Sequence, residues 1–259
     1  LLASHWGYEN PEKVEFFKSY FKKKIPPKVS REENQYKKQI IANSFSVEFS
    51  KILSLSEKTS FILYKNNFSK FDESLINIYT QNGYLIDSLE PKKLNLPSSF
   101  TLQRNGGVKT VFFHKDKSFA LISSSKMNCF YAAIIFLESG KEIFKTKCFP
   151  DIKKNIDFNG IGSSNIHFNN KIYLSIGTPE QRSEKIAALA QDQNSMFGKI
   201  LEIEKDDLDK LNLNQESNLK LHVYTAGHRT PQGLTRINKS IFSTEHGPKG
   251  GDELNKIIK

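Results

Sequence analysis

The 259-residue chain holds only two cysteines, two methionines and one tryptophan. Two thiols are too few for a four-ligand zinc cage. Cys129 and Cys148 leave two readings open: one disulfide in an oxidising compartment, or two buried thiols. No run approaches the roughly 20 apolar residues that a membrane-crossing helix needs. No glycine-rich phosphate loop follows a strand, and neither an HExxH pair nor a zinc-spaced cysteine pair occurs. Clustered charge is missing too. Thirty-eight basic residues against 28 acidic ones leave a net charge of +10, but the lysines are scattered among Asn, Ile and Phe. Nucleic-acid binding calls for basic and aromatic residues gathered on one face, so no nucleic-acid partner is expected.

What is present is enough apolar material, 37% of residues, for one large domain or two small ones. Residues 10–24, "NPEKVEFFKSYFKKK", read as a helix: Asn10 caps it, Pro11 suits its first position, and Val14, Phe17 and Phe21 share one face. A Pro-, Asn- and charge-rich linker follows. Residues 1–44 therefore form a helix and linker, and 45–259 a separate β-rich body. The chain opens on "LLASHWGYENPEK" without Met, which suggests the tail of a removed leader or anchor before Leu1, or a fragment of a longer chain.

From residue 45 onward, short β-branched and aromatic runs alternate with turn residues, as in "SFILYK" (60–65), "TVFF" (110–113), "SFALISSS" (118–125) and "CFYAAIIFL" (129–137). The pattern predicts mainly antiparallel β structure. It also repeats. "TVFFHKDKSFALISSS" resembles "NIHFNNKIYLSIG" (165–177) and "GLTRINKSIFSTEH" (233–246), each a strand, a tight turn and a strand. Third and fourth strands follow the first two units, and the last is incomplete. Four-stranded units recurring at this spacing predict propeller blades. Three visible units cannot close a ring and would leave open edges, so more chain is expected beyond Lys259. Residues 178–196 read as a partly helical insertion at a site rim. "KDDLDK" (205–210) reads as a solvated turn, and His5, His114 and His222 as ordinary surface or strand residues.

Chemistry concentrates in residues 227–255, "GHRTPQGLTRINKSIFSTEHGPKGGDELN". The segments "GHRTPQG" and "EHGPKGGDE" flank one hairpin, so they converge at the same end. Arg229, His228, His246 and Lys249 would ring an anion, and a guanidinium suits carboxylates. Glu245, Asp252 and Glu253, with carbonyls freed by "GP" and "GG", suit a hard cation such as Ca²⁺. A polar turn with structural salt bridges would read the same way.

"GHRTPQGL" with "TEHGPKGGDELN", together with "KIYLSIG" and "AQDQNSMFGKILEI" (190–203), resembles the soluble PQQ-dependent aldose sugar dehydrogenases of the glucose/sorbosone dehydrogenase family. The resemblance covers roughly residues 150–259. It implies a six-bladed β-propeller, about half of it present here, with PQQ and Ca²⁺ over its channel and a sugar or related alcohol as substrate. It further implies a bacterial periplasmic or extracellular location. Arg229, Thr230, Gln232, His246 and Asp252 match cofactor-binding positions, and Gly247 and Pro248 match positions whose carbonyls hold Ca²⁺. Oligomeric state and the particular sugar stay open.

The family's Asn after Arg is Thr230 here, so one amide contact is lost, and the other departures concern the base. The family's catalytic histidine falls on Ile161, or on Asn159 with a different gap, and neither can accept a proton near neutral pH. His167 is the nearest histidine, out of register along the strand. The acid that usually follows the KIYLSIG-like strand is Thr178. Three readings follow: a PQQ-type sugar dehydrogenase with a displaced base, a propeller that binds a ligand without the redox step, or a structural or partner-binding propeller.

Overall fold

A computed structural model describes residues 61–65, 76–86, 91–149, 156–180, 184–211, 218–247 and 250–258. The helix and linker expected over residues 1–44 lie outside the described residues. Chain contacts divide the protein into two units, one of residues 1–59 with 248–252, the other of 60–247 with 253–259. All the described strands belong to the second.

Among the described residues, four antiparallel sheets follow one another along the chain. The first holds β1 (Phe61–Lys65), β2 (Ile76–Thr80), β3 (Tyr84–Ile86) and β4 (Lys92–Lys93). The second holds β5 (Val108–His114), β6 (Lys117–Lys126), β7 (Cys129–Phe136) and β8 (Lys141–Lys145). The third holds β9 (Asn165–Phe168), β10 (Lys171–Ile176), β11 (Lys199–Glu204) and β12 (His222–Ala226). The fourth holds β13 (Pro231–Ile237), β14 (Ser240–Glu245) and β15 (Glu253–Ile257). Within each sheet, neighbours in sequence are neighbours in space. The leading strands also meet: β1 lies against β5, β5 against β9, and β9 against β13. Meandering sheets joined through their first strands agree with the blade pattern of the repeats.

The side-chain period explains the stacking. Alternate residues of a strand face opposite sides of its sheet. In β6, Phe119 and Leu121 enter one core with Ile134, Ile172 and Leu201. Their neighbours Ala120 and Ile122 enter another with Tyr79, Val108 and Ile135. In β10, Ile172 and Leu174 face the first of these cores, whereas Tyr173 packs with Leu234 and Ile241. Runs such as "FALI" are apolar on every residue because both faces of the sheet are covered.

The structure extends three readings. The repeat suggests three units, but the strands at 61–93 form a sheet of their own; β4 is only two exposed lysines, with no pattern to betray it. β15 forms from "ELNKI", where only Ile257 is buried. "KDDLDK" is a helical turn, α2 (Lys205–Lys210), rather than a solvated turn, because Leu208 is wholly buried. The insertion does carry a helix, α1 (Glu184–Leu189). Cys129 and Cys148 form a disulfide that ties the start of β7 to the segment after β8. Backbone bonds Thr146 N–H to Ala132 O, 2.9 Å, and Phe149 N–H to Phe130 O, 2.7 Å, continue the pairing there.

Candidate functional site

The hairpin β13–β14 brings its two flanking segments together as expected. Pro231 pairs with Glu245, and the His246 N–H donates to Thr230 O at 3.1 Å. Register slips between Pro231 and Gly233, which leaves Gln232 as the extra residue of a bulge. Bulges re-aim a side chain at the end of a ladder. Arg229, Gln232 and His246 are all exposed at this end, and Thr230 and Gly247 are half-buried.

The loop carrying Arg229 is clamped from the neighbouring sheet. Arg229 O accepts from the Thr178 N–H at 2.7 Å and from the Thr178 hydroxyl at 3.1 Å. The Gly227 N–H donates to Ala190 O at 2.9 Å, and the His228 N–H to Gly198 O at 3.1 Å. Gly177 makes the approach possible: a Cβ there would overlap Gly160 O and lie 2.9 Å from Arg229 O. Thr178, where the resemblance expects an acid, is thus a buried clamp. The end of β10, the turn 159–162 before β9 and the entry to β13 therefore meet. A Cβ at Gly162 would overlap the Gln232 amide.

Lys199 supports the same loop and had no place in the sequence reading. It is wholly buried, and its ammonium donates to Leu189 O, Ala190 O and Phe197 O at 2.8, 2.8 and 2.9 Å. Three donors meet three acceptors, two of them at the C-terminal end of α1, where carbonyls lack helical partners. Burial lowers the Lys199 pKa, partly offset by the charge of Asp192. A lysine opening the apolar run "KILEI" was the available signal.

Two expectations for this stretch are not met. His228 does not ring an anion: it is buried, with Nδ1 2.6 Å from Glu245 Oε1 and Nε2 2.8 Å from the Thr225 hydroxyl. Glu245 is therefore not free for a cation. Burial pushes its carboxyl up, but the His228 hydrogen bond and charge, with a further bond from Asn255, outweigh this and hold it below the ordinary carboxylate range. Glu253 accepts from Asn255 at 2.9 Å. Pro248 and Lys249 lie outside the described residues, and exposed Asp252 belongs to the other unit. Among the described residues, no three His, Cys, Asp or Glu side chains gather into a metal centre.

The base candidates separate. Ile161 is wholly buried in the core. Asn159 is exposed and its N–H caps Asp157 Oδ1 at 2.8 Å. His167 pairs with Ile172 near the far end of β9, away from the Arg229 hairpin end. Burial, helped by Lys205 and His114, pushes its pKa down to about 4. Its neighbour His114 is not an ordinary strand residue: it is buried and its Nε2 lies 2.8 Å from Asp209 on α2.

The family comparison falls on this half of the molecule. A family model described as "Glucose / Sorbosone dehydrogenase" matches residues 132–259. Residues 132–259 belong to the glucose/sorbosone dehydrogenase family. Quinoprotein glucose dehydrogenase B from Acinetobacter calcoaceticus is 34% identical over 70 residues, 27% of this chain and 15% of that protein. Aldose sugar dehydrogenase YliI from Escherichia coli (strain K12) is 30% identical over 92 residues, 34% of this chain and 24% of that protein. The aligned part thus spans at most about a quarter of these relatives' length. No solved structure gives a significant match. Among the described residues, no helix is long and apolar enough to cross a membrane.

Proposed function

We propose that the protein is a PQQ-type sugar dehydrogenase, with its cofactor held at the open end of the β13–β14 hairpin. The observation that carries this reading is the exposed set of Arg229, Gln232 and His246 on one clamped loop pair. A guanidinium fork, an amide and an imidazole suit the carboxylates of a small aromatic polyacid. A structural hairpin needs neither an exposed donor set nor the buried clamp behind it. Similarity to a quinoprotein glucose dehydrogenase supports a quinone as that polyacid. The four sheets would then be part of a six-bladed propeller, completed by chain outside residues 1–259.

When bound, a Ca²⁺-held quinone supplies the hydride acceptor for oxidation of an alcohol. The chain's own residues hold and orient. Arg229 pairs with a carboxylate, Gln232 walls the site, and Thr178 fixes the Arg229 backbone. Calcium rests on the resemblance alone: the carbonyls of Gly247 and Pro248 are the ligands it implies, and Asp252 matches a site acid. The substrate would be a sugar or related alcohol. A periplasmic or extracellular location agrees with the Cys129–Cys148 disulfide, since such bonds persist in oxidising compartments.

One observation favours a second reading, a propeller that binds the ligand but has lost the redox step: Ile161 and Asn159 supply no base. Dye reduction by the full-length protein, given PQQ, Ca²⁺ and a panel of aldoses, separates the two. Sugar-dependent turnover supports the dehydrogenase; binding of PQQ without turnover supports the second reading.

A further inference from the structure

We propose that Lys109 is the general base of this site, taking the hydroxyl proton of the sugar as the neighbouring C–H bond is oxidised. The inference rests on the quinone reading above. Oxidising an alcohol by hydride transfer needs an acceptor for the O–H proton; His246, matched above to a cofactor-binding position, is the rival that the test below includes, and the other groups of this sheet end can be taken in turn. His228 has both ring nitrogens engaged and Glu245 is bound to it. Asp157 accepts at both oxygens, from the Asn105 amide at 2.9 Å and the Asn159 N–H at 2.8 Å. His167 and His114 lie toward the other end of their strands.

Lys109 stands at the entry to β5, the leading strand beside β9. Its Nζ lies 2.9 Å from Asn105 O and 3.1 Å from Phe158 O. Phe158 O also accepts from the Ile161 N–H at 3.1 Å, in the turn whose Gly162 abuts Gln232. The amine therefore borders the turn that forms one wall of the Arg229 end. A neutral amine has two N–H donors and one lone pair. The two carbonyls take both donors, and the lone pair is left to accept a proton. Burial pushes the Lys109 pKa down, partly offset by Asp157, to about 8, so the neutral form is reachable at mildly alkaline pH. Arg104 is turned elsewhere, donating to Ile156 O at 3.1 Å and covering the Phe130 ring at 4.3 Å.

The supporting loop is strained. Arg104 and Asn105 both adopt left-handed backbone, φ 54° and 56°, a conformation that persists in non-glycine residues only when surroundings over-determine it and that gathers at functional sites. The surroundings do so here. Besides the Arg104 and Asn105 bonds, the Gln81 amide donates to Gly106 O at 2.6 Å.

In the step, the substrate O–H bond breaks and its proton passes to Lys109 Nζ. The C–H electron pair leaves as hydride to an o-quinone, the two-electron oxidant, and the alcohol carbon becomes a carbonyl. The ammonium then returns its proton to solvent.

The test compares full-length wild type, Lys109→Met, Lys109→Arg and His246→Gln. It follows PQQ binding by calorimetry, kcat against pH, and the Lys109 titration by NMR of the ¹³C-methylated amine. Expected are unchanged PQQ binding and a kcat lower by about 10²–10⁴-fold in both Lys109 variants, the usual span for a general base. The ascending limb of the wild-type profile, along which kcat rises as Lys109 loses its proton, should coincide with the NMR titration and vanish in both. Lys109→Arg keeps a donor toward the two carbonyls and covers the case in which Lys109→Met does not fold. Turnover within threefold of wild type with the limb intact, a limb erased by His246→Gln instead, or PQQ binding without turnover would each overturn Lys109 while leaving the binding site standing. No PQQ binding by wild type would overturn both.

Discussion

His228 Nδ1 lies 2.6 Å from Glu245 Oε1, with both side chains buried. His228 immediately precedes Arg229, and Glu245 immediately precedes His246. One buried pair therefore ties together the two segments that present the exposed donors.

Removing Glu245 leaves the buried His228 ring without its hydrogen-bond partner at Nδ1. Glu245→Ala should cost about 1–3 kcal/mol of stability, read from urea midpoints. The Glu245 carboxyl titrates lower in the folded protein than its ordinary 4.5. Its contribution is therefore complete above pH 4.5 and lost as pH falls through the folded value. Glu245→Gln should lose that acid-side slope; an unchanged slope would mean the pair does not form.

His167 carries a second pH dependence. Its folded pKa of about 4 lies below the ordinary 6.5, so the unfolded chain takes up the proton first. Stability is then complete above pH 6.5 and declines as pH falls toward 4. His167→Gln should flatten the curve in that window. An identical curve for the variant would contradict the buried, neutral imidazole.

Lys199→Met strips three carbonyls of their shared donor and should cost about 2–4 kcal/mol, given charged hydrogen bonds of roughly 1.5–3 kcal/mol and the penalty for unpaired buried groups. Because Ala190 O also accepts from Gly227, amide exchange at Gly227 and His228 should quicken beyond the global loss. Exchange that follows global stability alone would detach Lys199 from the Arg229 loop.

Reduction of Cys129–Cys148 opens a loop of sequence separation 19 and should remove about 3 kcal/mol by chain-entropy reasoning. The check is a denaturation midpoint with and without a thiol reductant, against Cys129→Ser/Cys148→Ser as control. A midpoint unaffected by reductant would mean the bond is absent in solution.

Most strands were legible because apolar runs and turn residues mark them: "SFALISSS" became β6 and "KIYLSI" became β10 almost residue for residue. β4 and β15 were not, since two lysines and "ELNKI" at a sheet edge carry no apolar alternation. At the site, the convergence of 227–232 with 245–247 followed from hairpin geometry alone. Which of those side chains face outward did not, because His228 and Glu245 read as site residues until their mutual bond is known. Lys109 and Lys199 were invisible for a related reason. A lysine in a strand reads as solvent-facing, and only the fold brings carbonyls to its amine.

The central claim is that the Arg229 end of the β13–β14 hairpin holds a carboxylated quinone. Calorimetric titration of PQQ into the full-length protein, with and without Ca²⁺, for wild type and Arg229→Ala, tests it most directly. The account predicts Ca²⁺-dependent binding that Arg229→Ala weakens by about 1.5–3 kcal/mol, the range for a lost charged hydrogen bond. Absence of binding, or equal binding by Arg229→Ala, would contradict it.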